Sequence, residues 1–433
     1  MSTESTDTAE STGRSAGGAL RGRLSRYGVL REDTGLRNLW LARLVSKLGD
    51  WSARIALVML VLAQTHSPLW AGVTVAACYV PYLGPGQLLA TLADRFPHRT
   101  VLIATDLLRL PVFLVLALVP LPPAAMVALA FVAAFGDVPS SAAFQAAIPM
   151  VAKERYADAL VLFGTTAQLT VLVGYAGGGA LTALTGARGV LLLNAASFLL
   201  AAALLTRVPL TRSGAQPARA RTHLAQAVRI VAADRLVTVT LAVVAVSCLG
   251  QVGIDSMTVV YAHHLGWGGG VGIGLLYVVM PVAAIVTGFF LPSAGDPVRL
   301  ARLVVGSNIV LCVLSVLAFL LLGSTPVGVI GIAAQGVLDM MVTPLFLVAE
   351  ARVPATHRGT VFGFFSTCFM AMQLLGALVA GALTELVGVE AAFALACAPT
   401  ALVGLVGWRL LRPAPSVVAQ PVEALPAAGA AAA

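Results

Sequence analysis

The sequence predicts an all-α polytopic membrane protein, with twelve transmembrane helices arranged as two parallel six-helix repeats. Three observations carry that expectation. Of 433 residues, 59% are hydrophobic and 11% charged, whereas a water-soluble domain carries about 25% charged residues to cover its surface. The apolar residues come in long runs, unlike the short alternating segments of a lipid-facing β-barrel. The second half of the chain also repeats the first at one constant offset.

Taken in order, residues 1–35 are rich in Ser, Thr and Gly and carry Arg14, Arg21, Arg23, Arg26 and Arg31. They read as a disordered cytoplasmic tail without a cleavable leader, because the basic stretch runs straight into a long apolar segment. The region 36–207 holds six segments, near 38–63, 68–91, 99–119, 122–148, 157–184 and 188–207. Each is long enough for ~30 Å of hydrocarbon at ~20 residues per crossing. The linker 208–235 follows. Its last part places Leu224, Val228 and Val231 on one helical face and Arg221, Arg229 and Arg235 elsewhere. That is the pattern of an amphipathic helix on an anionic membrane surface, or of a plain basic connection. The region 236–411 holds six more segments, near 236–262, 270–292, 301–322, 326–349, 359–384 and 389–411, and 412–433 is a Pro- and Ala-rich tail read as disordered. Several breaks fall on Pro and Gly, as in Pro120-Leu121-Pro122-Pro123 and Gly323-Ser324-Thr325-Pro326.

With both termini in the cytoplasm, nearly all of the 27 Lys and Arg residues fall in the tails and inward loops. Arg188 alone falls in an outward loop, and Arg43, Lys47, Arg54 and Arg109 lie inside segments. This positive-inside bias supports the even helix count and a multi-pass protein of the cell membrane. The repeat is visible in Gly179-Ala180-Leu181-Thr182-Ala183-Leu184-Thr185-Gly186, which returns as Gly381-Ala382-Leu383-Thr384-Glu385-Leu386-Val387-Gly388. The same offset relates Gly86 to Gly288, Asp94 to Asp296, Asp137 to Asp339, Phe163 to Phe365 and Gly174 to Gly376. Six helices per copy return the chain to its starting side, so the copies run parallel about an axis along the membrane normal.

The chemistry sits in the buried charges. Arg43, Lys47, Asp50 and Arg54 lie three or four residues apart and share one stripe of the first helix. Each charge at mid-bilayer costs ~2.5–3.5 kcal/mol, so the stripe must face protein or water. Asp137 and Asp339 lie in the middle of the fourth and tenth segments. Gln251 and Asp255 occupy the seventh segment, where Leu249-Gly250-Gln251 echoes Leu48-Gly49-Asp50. These positions predict one central cavity between the halves, lined from the first, fourth, seventh and tenth helices, with Asp50, Asp137 or Asp339 taking up a proton and Arg54, Gln251 and Asp255 beside them. Asp106 and Arg109 are expected to pair locally and brace the inner end of the third helix. Gly174, Gly178 and Gly179 form a hinge or a tight packing seam. His263 and His264 are expected at the interface. The five cysteines stand singly and show neither a disulfide framework nor a metal-ligand spacing. No phosphate-binding, zinc-protease or serine-hydrolase motif occurs, which points away from an enzyme and from any cofactor or metal.

Twelve helices in two parallel repeats with a basic central loop resemble the major facilitator superfamily over almost the whole chain. The loop between its second and third helices usually reads GxLADRxGRR. Here Leu92, Ala93, Asp94, Arg95 and the final Arg99 match it, while both glycines and one basic position differ. The resemblance implies a gating role for Asp94, Arg95 and Arg99, with Asp94 docking near Arg358. Leu36–Arg43 with Leu48–Trp51, Asp106–Arg109 and Asn194–Phe198 resemble the branch of macrolide-efflux and enterobactin-exporter proteins. Gly174–Gly179 is similar to its export-associated GPxxGG motif, with Tyr175 in place of proline. The resemblance implies a proton-coupled antiporter that exports an amphipathic molecule such as a drug or secondary metabolite, with a role in antibiotic resistance. Its partners would be that substrate, protons and the lipid bilayer, with no nucleic acid, and the protein would act as a monomer. The alternative is a proton-coupled uptake symporter of a polar or anionic solute.

Overall fold

The computed structural model describes residue 30 and residues 33–83, 95–210, 224–290, 297–322, 324–354 and 357–411. Among these the chain is helical throughout. Asp33 starts α1 (Thr34–Thr65) by accepting from the Leu36 amide at 2.9 Å, and His66 ends it in the left-handed region. Proline at the first helical position starts α2 (Pro68–Ala77), which continues as a turn at Val80–Leu83, and also α4 (Pro123–Ala152). Between them lies α3 (His98–Leu118). The 50-residue stretch Tyr156–Leu205 is broken at Gly186 (φ 73°, ψ 164°) into α5 (156–185) and α6 (187–205). A helix at Leu224–Ala233 lies within the basic linker, and residues 221–223 of the amphipathic stretch expected there lie outside the described residues. Ala227 and Val231 are buried and Val228 and Arg229 exposed. Asp234 ends this stretch and caps α7 (Arg235–His264) through the Leu236 and Val237 amides. The rest are α8 (Gly270–Phe290), α9 (Pro297–Leu322), α10 (Ser324–Arg352), α11 (Arg358–Val387) and α12 (Val389–Leu410).

Eight described stretches are long and apolar enough to cross a membrane, one of them being the run that Gly186 divides. The outer surface fits lipid: Leu184 is 82% exposed and Leu386 79%. In water such a surface would be an association hazard.

The two copies are joined internally in the same way. Gly186 links α5 to α6, and Gly388 (φ 86°, ψ 159°) links α11 to α12. Only glycine takes this backbone conformation at low cost. Packing repeats as well. α2 of the first copy lies on α11 of the second, and α5 lies on α8. Each is the second helix of one copy against the fifth of the other, as a two-fold relation demands. The approach is close: a Cβ on Gly72 would strike the Ala377 carbonyl, and one on Gly179 would strike that of Gly270. A core running from Ile55, Val58 and Tyr175 to Val252, Tyr261, Tyr277 and Phe393 seals both copies together at the end where α1 finishes, called here the far end.

Candidate functional site

The charged stripe of α1 faces protein, and Lys47, Asp50 and Arg54 join two separate clusters. The first is a closed ring of two bases and two acids from α1, α3 and α4. Lys47 Nζ lies 2.6 Å from Asp137 and 3.2 Å from Asp50. Arg109 lies 2.5 Å from Asp50 and 3.8 Å from Asp137. Tyr82 donates to the other Asp137 oxygen. Arg109 also lies with its guanidinium carbon 4.5 Å from the centre of the Phe198 ring. Gly136 makes room for it, since a Cβ there would fall 3.0 Å from Arg109 Cγ. The side chains are 8–19% exposed, so each charge must be neutralised by its neighbours.

The second cluster spans the copies. Arg54 sits 3.4 Å from Asp255 of α7 and donates to Tyr79 at 2.9 Å, with the Trp51 and Tyr79 rings flanking it. Tyr175 of α5 donates to the Asp255 carboxylate at 3.2 Å, and Tyr277 of α8 donates to the Asp255 backbone carbonyl at 2.8 Å. Nearer the far end, Glu385 of α11 accepts from Ser67 Oγ at 2.7 Å and from the Leu69 amide at 3.1 Å. It thereby caps α2, whose own Ser67 side chain makes no cap bond.

A chamber of about 650 Å³ lies against the ring, within the usual range for small-molecule sites. Its lining mixes Lys47, Asp50, Arg54, Arg109 and Asp137 with Trp51, Tyr79, Phe113 and Met370. A second space of about 570 Å³ shares Lys47, Trp51 and Gln145 with it and runs toward the start of α1 past Arg43. Arg43 is held by Ser141 at 3.2 Å and by the Phe144 ring, and among the described residues no carboxylate pairs with it.

Several expectations change. The predicted local pair of Asp106 and Arg109 is replaced, because Arg109 reaches Asp50 and Asp137 instead. Arg109 stands eleven residues into α3, about 17 Å along it at ~1.5 Å per residue, and therefore near mid-membrane rather than at a helix end. Among the described residues the first and fourth helices line the chamber and the seventh does not, while the side chains of α10 from 338 to 344 lie outside the described residues. The chamber walls come from α1, α2, α3 and α4, with Ser366, Met370 and Gln373 of α11 opposite. Gln251 and Asp255 stand outside that lining; Asp255 belongs to the cluster between the copies, with one carboxylate oxygen buried and unpartnered. The side chain of Asp339 and the residue Asp94 lie outside the described residues. Arg95 is exposed and Arg99 half-buried, while Arg358 pairs with Glu350 at 2.9 Å, on its own side of the linker. Gly174 and Gly178 pack on Trp51 and Ser52 of α1, and Gly179 packs on α8, which makes them a seam. His264 pairs with Glu390 at 2.5 Å. No three His, Cys, Asp or Glu side chains come together as a metal site among the described residues.

The fold has counterparts among known proteins. The family model described as Major Facilitator Superfamily matches residues 39–347 and 273–431. The chain is 23% identical over 406 residues to "Uncharacterized MFS-type transporter YfiS" of Bacillus subtilis (strain 168), covering 87% of this chain and 93% of that protein. A mutant of the nucleoside transporter NupG superposes with a TM-score of 0.68 at 14% identity, over 88% of this chain and all of that one. A bacterial homologue of the iron transporter ferroportin, in an inward-facing state, superposes with a TM-score of 0.66 at 18% identity, over 86% of this chain and 98% of that one. At these identities the structural likeness speaks for the fold alone.

Proposed function

Because the chain belongs to the Major Facilitator Superfamily, whose members carry solutes across membranes, we propose the finer reading of a proton-coupled exporter of an amphipathic small molecule. The observation that carries it is the ring of Lys47, Asp50, Arg109 and Asp137 on the chamber wall. A proton taken by either carboxylate breaks its ion pairs, and a hydrogen-bond donor on the substrate competes for the same oxygens. Proton and substrate then exclude one another, which is the linkage an antiporter needs. The mixed lining suits a molecule with a polar head and an apolar body. Export is supported by the glycine-rich α5 and its likeness to the exporter motif. Asp339, at the position related to Asp137, is proposed as a further proton acceptor. In the orientation we propose, both termini are cytoplasmic and the far end is extracellular.

The test is pH-driven flux in proteoliposomes, using a compound found by an efflux panel in a pump-deficient host. Asp50→Asn, Asp137→Asn and Asp339→Asn are expected to abolish coupling singly or together; unchanged flux in all three ends the proposal. A second reading, uptake of an anionic solute with a proton, is favoured by Arg43, which has no carboxylate partner among the described residues. There an anion and a proton bind together, because each lowers the cost of the other. Reversing the gradient separates the two: the antiporter accumulates substrate when protons flow outward, and the symporter accumulates it only when protons flow inward.

A further inference from the structure

A small space of about 10 Å³ lies between α1, α3, α4 and α6, and its polar lining is Arg43, Ser46, Asp106 and Ser140. It has room for about one water molecule. Asp106 is 4% exposed. Among the described residues no basic side chain pairs with it and no group donates a hydrogen bond to it. Asp106 stands eight residues into α3 and Arg43 nine residues into α1, each about 12–14 Å deep at ~1.5 Å per residue. A carboxylate at that depth with no cation in contact is held as the neutral acid. The second copy fits this picture, since it places the neutral Asn308 at the related position, also buried.

The charges facing Asp106 are Arg43, Lys47 and Asp50 from α1 and Arg109 from its own helix. α4 adds Asp137, and the one charged residue of α6, Arg188, lies at its opposite end. Lys47, Asp50, Arg109 and Asp137 hold one another in the ring, which leaves Arg43 as the cation able to answer a charge on Asp106. Arg43 also lines the space of about 570 Å³ that runs from the start of α1 to the chamber. It therefore stands between Asp106 on one side and the approach to the ring on the other.

We propose that Asp106 is a proton site separate from the ring, and that its charge sets where Arg43 stands. With the proton in place, Arg43 stays on Ser141 and the Phe144 ring, its charge in the approach. When the Asp106 O–H bond breaks, the proton leaves to water in that approach. Arg43 then turns through the small space and pairs with the new carboxylate. The approach becomes wider and loses a positive charge, which admits a donor head bound for Asp50 and Asp137. Reprotonation sends Arg43 back and closes the way. Proton and substrate thus exclude one another at the entrance as well as at the ring. This deepens the exporter reading and rests on it.

The test begins without substrate. Infrared difference spectra of the full chain in nanodiscs, stepped from neutral to alkaline pH, report the carbonyl stretch of a protonated carboxyl group. The wild type is expected to lose one such band as the pH rises. Asp106→Asn, which borrows the side chain of Asn308, is expected to lack it throughout. Arg43→Gln should hold the band to a pH at least one unit higher, because the carboxylate then gains no partner. Transport is read with ethidium, whose amino groups donate hydrogen bonds from an apolar ring system. Both variants are expected to lower its gradient-driven flux in proteoliposomes at least tenfold and to flatten its pH profile. An unchanged band in Asp106→Asn, or a band in Arg43→Gln that titrates as in wild type, overturns the inference. Gradient-driven flux within twofold of wild type in Asp106→Asn also overturns it, and leaves the exporter reading standing. If the wild type moves neither ethidium nor any compound of the efflux panel, the exporter reading fails, and the infrared spectra alone decide the proton site.

Discussion

Replacing Asp137 by Asn removes one of the two negative charges of the ring and leaves Lys47 and Arg109 facing Asp50 alone. The lost contacts are those to Lys47 at 2.6 Å and Arg109 at 3.8 Å. Breaking a fully buried pair by removing one partner costs about 3–5 kcal/mol, chiefly through the charge left behind. The Lys47 and Asp137 side chains are 19% and 17% exposed, and chamber water relieves part of that cost, so about 2–3 kcal/mol is expected. The companion change Lys47→Met removes the stranded cation, and the double variant should recover at least ~1 kcal/mol over the sum of the singles. The assay is a double-mutant cycle of reversible unfolding in mixed micelles of dodecyl maltoside and SDS. Additive effects within ~0.3 kcal/mol would show that Lys47 and Asp137 do not act as a unit, and the ring would have to be abandoned.

The glycine junctions make a second test: Gly186→Ala and Gly388→Ala should each cost about 1–3 kcal/mol in the same assay. Gly177→Ala, in α5 with open space around it, should be neutral or stabilising by up to ~1 kcal/mol. Gly72→Val should lower transport at least tenfold, because its side chain would meet the Ala377 backbone and hold the far end apart; initial rates in proteoliposomes check this. Glu385→Gln should weaken the cap on α2 by about 1 kcal/mol, shifting the closed-to-open ratio at the far end roughly fivefold. Spin labels at His66→Cys and Leu386→Cys, read by electron–electron distance measurements, report that shift. Arg54→Gln should uncouple transport from the pH gradient while leaving flux down a substrate gradient measurable, as the two fluxes measured side by side will show.

Much of the fold was legible because lipid imposes simple rules. Apolar length gave the helices, basic residues gave the predicted sidedness, and the returning Gly–Ala–Leu–Thr motif gave the repeat. The two ends of that motif, Gly186 and Gly388, turned out to hold the same rare backbone geometry. The stripe on α1 was legible too, since four charges on one face have nowhere to go but inward. The pairing was not. Arg109 looked local because Asp106 lies on the same face of α3, but a guanidinium at mid-membrane reaches whichever carboxylate the neighbouring helices present. Spacing within one helix says nothing of that. Glu385 capping α2 was invisible for a related reason: the acid and the amide it serves are over three hundred residues apart. The only local hint was a helix start at Ser67-Pro68 with no side-chain cap of its own.

The charges are unequally shared between the copies, and this constrains how a cycle can be driven. All four members of the ring come from α1, α3 and α4, hence from the first copy. At the position related to Asp106 the second copy has Asn308, which donates to the Ala334 carbonyl at 2.7 Å. At the position related to Arg109 it has Leu311, packed among apolar neighbours. A rigid rocking of one copy against the other therefore leaves the ring intact, and the ring alone cannot sense or drive the motion. Arg54 can, because it stands one helical turn beyond Asp50 on α1 and holds Asp255 of the second copy. When the far end opens, that contact must break, together with the Tyr175 contact to Asp255 and the Glu385 cap on α2, while Tyr277 holds Asp255 within the second copy. In the proposed exporter, proton binding at the ring and opening at the far end are thus separate events joined through four residues of one helix. Coupling strength then depends on how rigidly α1 carries a change at Asp50 to Arg54, and the glycine seam at Gly174 and Gly178, which clamps α5 onto that turn of α1, is what makes it rigid.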